Sequence, residues 1–468
     1  MVEAIVWVTH IQMSTTRYAS VLGLGFGDCG KGHFIDALTR RWTAHTVVRF
    51  NGGAQAGHNV VTPAEANSPS RHHTFSQFGA GTFVPGVRTL LVAPMIVHPT
   101  ALLVEAEVLA RVGVADALAR LTIDARCRIT TPFHQAAGRL RELLRGDAAH
   151  GTCGVGVGET VRHALEHPGQ EIRYADLAQL DAPNSRSLID RLQAIRETLL
   201  AELSPQCPSN SIGSLSTEIQ MLRDGSLAAK WLATARALAR HCPPASFEEI
   251  RRQLTQPGGV LFEGAQGVLL DEWRGFHPHT TWSSISTTAV DAVIARFGIA
   301  APVEHFGVLR TYLTRHGTGP LPTHDESLDE LLPEPHNSGD SWQGAFRRGH
   351  PDAVMLRYAL EVVGQLSGVF ISHLDIFQCG VSLKWCGRHA IAPRLAQSPQ
   401  FVERLPLGAR EDLDHQHALT VLLQSARPQY DDALISSASD FLRQIADITS
   451  LPVPLVSRGP TWADVRES

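Results

Sequence analysis

The sequence predicts an α/β protein with a large, mainly parallel central sheet flanked by helices. Three observations predict it. Short apolar runs break at glycine or polar clusters, amphipathic segments alternate with these runs, and the first run enters a glycine turn followed by a helix. Alternating strands and helices are typical of parallel sheets, and such a glycine turn predicts a phosphate-loop-like nucleotide site at the carboxyl ends of the strands. We expect one domain over residues 17–468 after a poorly ordered leader over residues 1–16.

The first predicted strand and helix enclose the glycine turn. The run YASVLGLGFG at 18–27 is typical of a buried strand, because its residues are almost all apolar. The segment KGHFIDALTRRW at 31–42 spaces its apolar residues along one face of a helix. A helix that begins at such a turn offers free backbone N–H groups and a positive dipole end to a phosphate.

The turn departs from the usual phosphate-loop pattern. Gly25, Gly30 and Lys31 fit G-x-x-x-x-G-K, but Gly32 stands where a Ser or Thr normally holds Mg²⁺. A carboxylate, Asp28, occurs within the loop instead. Taken alone it is a solvated turn residue. Among phosphate-binding amides, however, a carboxylate would be repelled by the phosphate unless it bound a metal ion or accepted a proton, so its position indicates one of these two roles.

The later elements follow the same alternation. Further strands are predicted from apolar runs at 46–50, 88–97, 258–267, 304–314, 367–377 and 453–460. Helices are predicted from apolar residues at helical spacing at 99–113, 185–203, 218–241 and 351–364. Loops are expected at 204–213 and 324–341, where proline, serine and acidic residues accumulate.

A second glycine turn, FNGGAQAGHNV, follows the predicted strand at 46–50. Its glycines allow the backbone to pack against a ligand, and His58 lies within it. A single histidine of this kind is more often a satisfied surface residue. Two glycine loops at the ends of neighbouring strands, one with Asp28 and one with His58, predict an acid–base pair at the carboxyl edge of the sheet.

Composition excludes several classes of protein. The 468 residues are 43% hydrophobic, enough for a sizeable core, and the formal charge of 41 − 46 = −5 gives no basic surface for nucleic acid or anionic membranes. Seven cysteines without a C-x-x-C pair predict neither a disulfide framework nor a zinc site. The apolar run AIVWV near the start is too short for a signal peptide or a membrane span. We therefore expect a cytoplasmic protein with no nucleic-acid or membrane partner.

Seven short motifs, in order, resemble those of the adenylosuccinate synthetase family over about residues 18–465. GDCGKGH resembles G-D-E-G-K-G-K, NGGAQAGHN resembles Q-G-G-x-N-A-G-H-T, and GTCGVGVGE resembles G-T-T-G-R-G-I-G-P. FEGAQGVLLD at 262–271 nearly repeats F-E-G-A-Q-G-x-L-L-D. TRHGTGPLPT, SHLD and SRGP are similar to T-x-R-x-G-x-G-P-F-P-T, T-K-L-D and S-T-G-P. The chain is identified as a divergent member, with residues 17–468 as a single domain of that family's type.

The resemblance implies a reaction and its participants. Such an enzyme is a GTP-dependent ligase of purine nucleotide biosynthesis that joins IMP and L-aspartate to give adenylosuccinate through 6-phosphoryl-IMP, on the branch leading to AMP. It implies one Mg²⁺ per subunit and a homodimer. Its catalytic residues would be Asp28, which takes the N1 proton of IMP and binds Mg²⁺, His58 as general acid, Lys31, which neutralises phosphate, and Gln266, which contacts the nucleotide. The carbonyl of Gly57 would be a second Mg²⁺ ligand.

The resemblance also assigns three sets of substrate contacts. The GTP contacts are Gly27, Asp28, Cys29, Gly30, Lys31, Gly32, His33, Gly57, His58, Asn59, Arg347, Ser372, His373, Leu374, Asp375, Ser457, Arg458 and Gly459. The IMP contacts are Asp28, Lys31, Gln55, Gly57, His58, Cys153, Gln266 and Thr281. The aspartate contacts are Gln343, Gly344 and Arg347. Among these, Asp375 falls where guanine is read.

Several substrate-gripping positions depart from the family pattern. Gln55 replaces Asn, Cys153 replaces Thr, His167 aligns with an arginine lent across the dimer, Ala345 replaces the arginine that grips aspartate, and His33 and His373 replace lysines. Arg162, Arg347 and Arg348 are available to compensate. Two alternatives therefore stay open: a specialised paralog that aminates another purine-like substrate or uses another amine, and a non-catalytic guanine-nucleotide-binding protein. The preference for GTP over ATP is open as well.

Overall fold

The computed structural model describes residues 15–64, 69–178, 185–208, 212–334, 342–391 and 400–468. Of the predicted leader, residues 1–14 lie outside the described residues. Thr16, assigned to the leader, instead opens the first strand, and its hydroxyl donates to the Gln256 carbonyl at 2.8 Å. That strand therefore starts inside the predicted leader.

Strands and helices are numbered here in chain order. The strands are β1 (Thr16–Gly23), β2 (Ala44–Arg49), β3 (His58–Thr62), β4 (Arg71–Phe75), β5 (Arg88–Leu91), β6 (Ile96–Val97), β7 (Leu121–Asp124), β8 (Arg128–Ile129), β9 (Pro244–Ala245), β10 (Gly258–Glu263), β11 (Val303–Arg310), β12 (Leu313–His316), β13 (Phe346–Gly349), β14 (Gly368–Ser372), β15 (Leu383–Ile391), β16 (Gln400–Val402), β17 (Arg427–Ile435), β18 (Leu455–Ser457) and β19 (Val465–Glu467). The helices are α1 (Lys31–Arg41), α2 (Pro99–Arg111), α3 (Pro132–Arg145), α4 (Val157–Glu166), α5 (Ser185–Leu203), α6 (Gly213–Arg223), α7 (Leu227–His241), α8 (Phe247–Leu254), α9 (Thr287–Arg296), α10 (Glu326–Leu331), α11 (Ala353–Val363), α12 (Leu413–Ser425) and α13 (Ala438–Thr449).

Ten strands form one sheet in the order β19-β18-β14-β11-β1-β10-β2-β5-β7-β9. Every pairing in it is parallel except that of β18 with the edge strand β19. The carboxyl ends of the parallel strands therefore meet at one edge, which confirms the predicted fold class. The expectation that the two glycine loops follow neighbouring strands is wrong, because β10 lies between β1 and β2. Strand order depends on tertiary pairing, which local sequence patterns do not encode.

Both faces of the sheet are buried. Val47 of β2 packs in one apolar core and Val48 in the other, and Leu91 and Leu90 of β5 divide in the same way. Successive residues of a strand point to opposite faces, so a strand covered on both sides needs apolar residues at consecutive positions. This explains why the strands were recognisable as continuous apolar runs.

Helix α1 packs on the first of these cores. It begins after Gly30, whose φ of 89° lies in the left-handed region that favours glycine. Its apolar face buries Phe34, Ile35 and Leu38, and the Phe34 ring lies 5.0 Å from the ring of Phe370 in β14. Full burial of such a side chain contributes about 1.5–3 kcal/mol. This packing fixes the start of α1 against the strand ends.

Some predicted elements are divided in the structure. The run at 88–97 gives β5 and β6 because Pro94, which lacks an N–H group, follows the end of β5. The run at 304–314 gives β11 and β12, and the helix predicted at 218–241 is interrupted next to Gly225, between α6 and α7.

Other boundaries also shift. The strand within 367–377 ends at Ser372, because His373 has a φ of 62°. The loop expected at 324–341 contains α10, whose N-cap Asp325 accepts from the Ser327 N–H at 3.0 Å, while residues 335–341 lie outside the described residues. In the loop expected at 204–213, α6 already begins at Gly213, and residues 209–211 are outside the described part. No helix among the described residues is long and apolar enough to cross a membrane.

Candidate active site

A cavity of about 1050 Å³ opens at the carboxyl edge of the central sheet. The loops that follow β1, β2, β10, β11, β14 and β18 all contribute to its lining. Of the residues predicted for the site, it brings together Gly27, Asp28, Cys29, Gly30, Lys31, Gly32, His33, Gln55, Gly57, His58, Asn59, Cys153, Gln266, Thr281, Gln343, Ser372, His373, Asp375, Ser457 and Gly459.

Four predicted contacts do not line this cavity: Gly344, Arg347, Leu374 and Arg458. Leu374 is fully buried in an apolar core, and Arg458 is exposed to solvent. The guanidinium of Arg347 donates to the Gly319 carbonyl at 2.5 Å. Motif matching assigned these residues by position in the chain, and it could not show where each side chain points.

The first glycine loop bends through left-handed backbone at three positions, with φ of 102° at Gly27, 47° at Asp28 and 89° at Gly30. Such a conformation is strained for Asp28, and strain of this kind is typical of functional sites. No side chain caps the start of α1, so its first N–H groups remain available to an anion.

The structure explains the missing hydroxyl at Gly32. A Cβ atom there would lie 2.7 Å from the Cβ of His58, closer than such atoms approach each other, so neither Ser nor Thr fits without displacement. The start of α1 therefore packs directly against the first residue of β3. This contact places the two glycine loops side by side even though their strands are not neighbours.

The carboxylate of Asp28 is held in its ionised form. Its Oδ2 lies 3.5 Å from Nε2 of His316, at the end of β12. Burial acts to raise the pKa of Asp28, but the hydrogen bond and charge of His316, followed by the charges of Lys31 and Arg310, outweigh it and lower the pKa. An ionised carboxylate in a nucleotide cavity can accept a proton or bind a metal ion.

His316 was not predicted as a site residue. The available signal was its place in the motif TRHGTGPLPT, where it follows an arginine and precedes a glycine. The two residues of the predicted acid–base pair contact different partners in the structure. Asp28 contacts His316, and His58 contacts Glu263.

His58 and Glu263 form a buried pair beside the cavity. Nδ1 of His58 donates to Oε1 of Glu263, and the Ala80 N–H donates to the other carboxylate oxygen at 2.9 Å. Burial lowers the pKa of His58 to about 4, although Glu263 opposes this. Burial acts to raise the pKa of Glu263, but the charges of Arg49 and His58 outweigh it and lower the pKa. A neutral imidazole oriented by a carboxylate leaves Nε2 to act on a bound molecule.

Gln266 connects the loop after β10 to both glycine loops. Its neighbour Gly267 has no room for a side chain, since a Cβ there would lie 2.2 Å from the Gly25 carbonyl oxygen. Oε1 of Gln266 is buried and has no hydrogen-bond partner among the described residues, and the same holds for Oε1 of Gln55. Two unpaired amide oxygens at a cavity wall are acceptors for a ligand's N–H or O–H groups.

At the opposite end of the cavity two histidines stand where the family pattern has lysines. Nε2 of His33 lies 2.9 Å from Ser457 Oγ and Nδ1 lies 3.2 Å from the Pro460 carbonyl, which ties α1 to the loop after β18. Burial lowers the pKa of His33 to about 4, so this ring is neutral at pH 7. His373 binds Ser372 Oγ at 2.8 Å, and burial lowers its pKa well below the usual value. This end of the cavity therefore gains no positive charge from either ring.

The oxygen donors of the two glycine loops fit Mg²⁺. The Asp28 carboxylate and the carbonyl of Gly57, in an exposed turn, are oxygen ligands that both border the cavity. Mg²⁺ prefers oxygen ligands and is usually held by one or two carboxylates together with substrate phosphates and water.

The described residues contain one cluster of three potential metal ligands elsewhere, Asp352, Cys386 and His389. It lies outside the lining of the cavity, and Asp352 already caps α11 and accepts from His389 Nε2 at 2.8 Å.

The parallel sheet, the glycine loop at the uncapped start of α1 and the ionised Asp28 are the features of a nucleotide-binding enzyme. Comparison with known proteins then names its family: the model described as adenylosuccinate synthetase matches residues 20–466. The chain belongs to the adenylosuccinate synthetase family. Members are GTP-dependent ligases of purine biosynthesis that join IMP and L-aspartate, and membership favours this activity over the two alternatives.

Named relatives match along nearly their whole length. The adenylosuccinate synthetase of Alkalilimnicola ehrlichii is 31% identical over 450 residues, covering 94% of this chain and 95% of the relative. That of Syntrophotalea carbinolica is 28% identical over 461 residues, covering 94% and 96%.

Two solved structures share the fold. Fully ligated adenylosuccinate synthetase from Plasmodium falciparum superposes with a TM-score of 0.72 at 20% identity, covering 97% of this chain and 100% of that one. The succinoaminodeoxyadenylate synthetase (PurZ) of cyanophage S-2L, bound to dGMP and to dATP as energy donor, gives a TM-score of 0.58 at 16% identity, covering 97% and 95%.

Proposed function

We propose that this chain makes adenylosuccinate from IMP, L-aspartate and GTP with Asp28 as the general base. The observation that supports the assignment is the ionised carboxylate at the tip of the phosphate loop, beside the N-terminus of α1. A carboxylate with a lowered pKa is a weak base, so proton transfer to it needs the ring N–H to become acidic as phosphoryl transfer proceeds.

The first step prepares a leaving group. Asp28 takes the proton from N1 of IMP, the electron pair moves to O6, and O6 attacks the γ-phosphorus of GTP. The O6–P bond forms and the bond between the γ-phosphorus and its bridging oxygen breaks, which releases GDP. When bound, Mg²⁺ held by Asp28 and the Gly57 carbonyl would neutralise charge on the phosphates. Lys31 at the start of α1 would contact the same phosphate oxygens.

His58 would stabilise the transferring group once a triphosphate is bound. In the free protein the ring is neutral. The Glu263 carboxylate already places a negative charge beside Nδ1, and the phosphate oxygens would place a second one beside Nε2. Both charges favour the protonated ring. The imidazolium would then donate to a phosphate oxygen, with Glu263 holding the ring in place.

The second step replaces the phosphate with the amine. The amino group of L-aspartate attacks C6 of the purine, the C6–O6 bond breaks, and inorganic phosphate leaves as the nitrogen loses a proton. Gln343, whose side-chain amide lies 2.8 Å from Cys153 Sγ, would border the aspartate and IMP sites. Gln266 and Gln55 offer their unpaired oxygens to the nucleotide.

The GTP end of the cavity would be the one formed by Asp375, His373, Ser457 and His33, with Asp375 accepting hydrogen bonds from guanine. A homodimer and a cytoplasmic location are proposed with this function. The family assignment supports both, and free cysteines throughout the described residues agree with a reducing compartment.

The purified full-length protein, incubated with IMP, GTP, Mg²⁺ and L-aspartate, should produce adenylosuccinate, followed by its ultraviolet absorbance. Absence of product and of GDP under all conditions would reject the proposal. The specialised paralog would be supported by a different result. In that case IMP and L-aspartate give no adenylosuccinate, while another oxopurine or another amine gives an aminated product and GDP.

A further inference from the structure

Arg315, in β12, is a buried cation without a counter-ion. The residue is 3% exposed and borders the cavity. No ion pair joins it to a carboxylate anywhere in the described ranges of the chain. Its guanidinium donates instead to two backbone carbonyls, those of Pro320 and His279, each at 3.1 Å. Its Nε, also buried, has no partner among the residues that the structure describes.

The surroundings fix the guanidinium but do not neutralise it. The guanidinium carbon lies 4.0 Å from the centre of the Phe26 ring, and a Cβ at Gly319 would lie 2.0 Å from one of the guanidinium nitrogens, so Gly319 leaves the space that the group fills. Burial, followed by the neighbouring positive charge of Arg347, lowers the pKa of Arg315 well below its usual value. An arginine stays charged in proteins, so the guanidinium of Arg315 occupies an unfavourable site for a cation.

The imidazole of His279, near Arg315, adds a hydrogen-bond donor or acceptor but no charge. Burial, followed by the charge of Arg315, lowers the pKa of His279 to about 4, and its buried Nδ1 has no hydrogen-bond partner among the described residues. His279 borders the cavity together with Arg315. A bound anion would pair with the guanidinium and remove the cost of its burial.

We propose that Arg315 binds an anionic oxygen pair of a substrate in this cavity, either the carboxylate of the amino acid or the phosphate of a nucleotide. The inference rests on the proposed function and supplies an anion contact that Ala345 and Arg347, neither of which lines the cavity, do not provide. A planar guanidinium suits the two oxygens of either group.

The test measures the KM of L-aspartate, IMP and GTP separately for the full-length wild type, Arg315→Gln and Arg315→Lys. The proposal expects a KM at least tenfold higher for one substrate in Arg315→Gln, and a smaller rise in Arg315→Lys, which keeps the charge but loses the planar fork. A rise for aspartate assigns the carboxylate, and a rise for IMP or GTP assigns a phosphate. KM values that all stay within twofold of wild type would overturn it.

Arg120→Gln is the matched control. Arg120 is also buried and donates to backbone carbonyls, at 2.7 Å to Val87 and 3.0 Å to Thr82, but it pairs with Asp116 and lies outside the cavity lining. It should lower the thermal midpoint with every KM unchanged. A rise of all three KM values by the same factor in Arg315→Gln, together with a fall in thermal midpoint like that of Arg120→Gln, would indicate a structural role and contradict the proposal. If Arg315→Gln does not fold, the same comparison is made with Arg315→Lys and Arg120→Lys.

The anion site can also be tested by binding alone. If the wild type makes no adenylosuccinate, calorimetric titration with IMP, with GTP and Mg²⁺, and with L-aspartate replaces the kinetic assay. Tenfold weaker binding of one of these probes to the variant supports the anion site. Equal affinities, or no binding of any probe to the wild type, would refute it.

Discussion

Replacing Glu263 with glutamine tests how the buried pair controls His58. Glutamine keeps the shape of the side chain and removes its charge, so the imidazolium formed beside the transferring phosphate loses its counter-ion. Glu263 is fully buried, and its two carboxylate oxygens accept from His58 Nδ1 and from the Ala80 N–H. A hydrogen bond to a charged group contributes about 1.5–3 kcal/mol. At about 1.4 kcal/mol per factor of ten, Glu263→Gln should lower kcat roughly ten- to a hundredfold.

The assay follows adenylosuccinate formation at saturating IMP, GTP, Mg²⁺ and L-aspartate, so that kcat is measured rather than binding. Glu105→Gln is the matched control, because Glu105 is also buried, accepts from the Ser76 and Gln77 N–H groups at 2.9 Å each, and lies 3.6 Å from His73 Nε2 outside the cavity lining. Both variants should be less stable than wild type. An unchanged kcat in Glu263→Gln, or an equal loss in both variants, would refute the role assigned to the pair.

Three further predictions concern stability and the loop carboxylate. Phe34→Ala should lower the free energy of unfolding by about 3–5 kcal/mol in urea titration, because it removes a fully buried ring that packs on Phe370; a loss below about 1 kcal/mol would contradict the packing. Stability should fall as pH falls from about 6.5 to 4, since His33 has a pKa of about 4 in the folded protein and the unfolded chain binds the proton first. The His33 contribution is at most about 3 kcal/mol, and an equally steep decline in His33→Asn would exclude it. His316→Gln should lower kcat more than tenfold while leaving the KM of GTP within threefold, because it removes the ring that holds the Asp28 carboxylate; an unchanged kcat in steady-state assays would show that this contact is not needed.

The local parts of the site could be predicted from the sequence, and the pairings between distant segments could not. The strand β1, the glycine turn and α1 are contiguous, so their apolar spacing and glycines predicted them together, and the cavity does contain Asp28 and Lys31. The insertion of β10 between β1 and β2 depends on long-range strand pairing. That pairing places Glu263 beside His58, a contact between residues 205 positions apart.

The orientation of side chains was the other limit. Arg347 was assigned to two substrates from its motif, but in β13 its guanidinium turns to the Gly319 carbonyl. His316, one residue along a strand from the buried Arg315, reaches Asp28 and was not predicted. A motif indicates which stretch of the chain lies near the site. Which of its residues face the cavity depends on the alternation of side chains along the strand and on the packing of neighbouring elements.

Phosphoryl transfer by Asp28→Asn tests directly whether Asp28 is the general base. Asparagine keeps the size of the side chain but cannot accept the ring proton, and general bases typically contribute 10²–10⁴-fold to rate. In a single-turnover experiment with IMP, radiolabelled GTP and Mg²⁺, we expect GDP formation to fall at least a hundredfold while nucleotide still binds within about tenfold of the wild-type affinity. GDP formation at the wild-type rate in Asp28→Asn would show that Asp28 is not the general base.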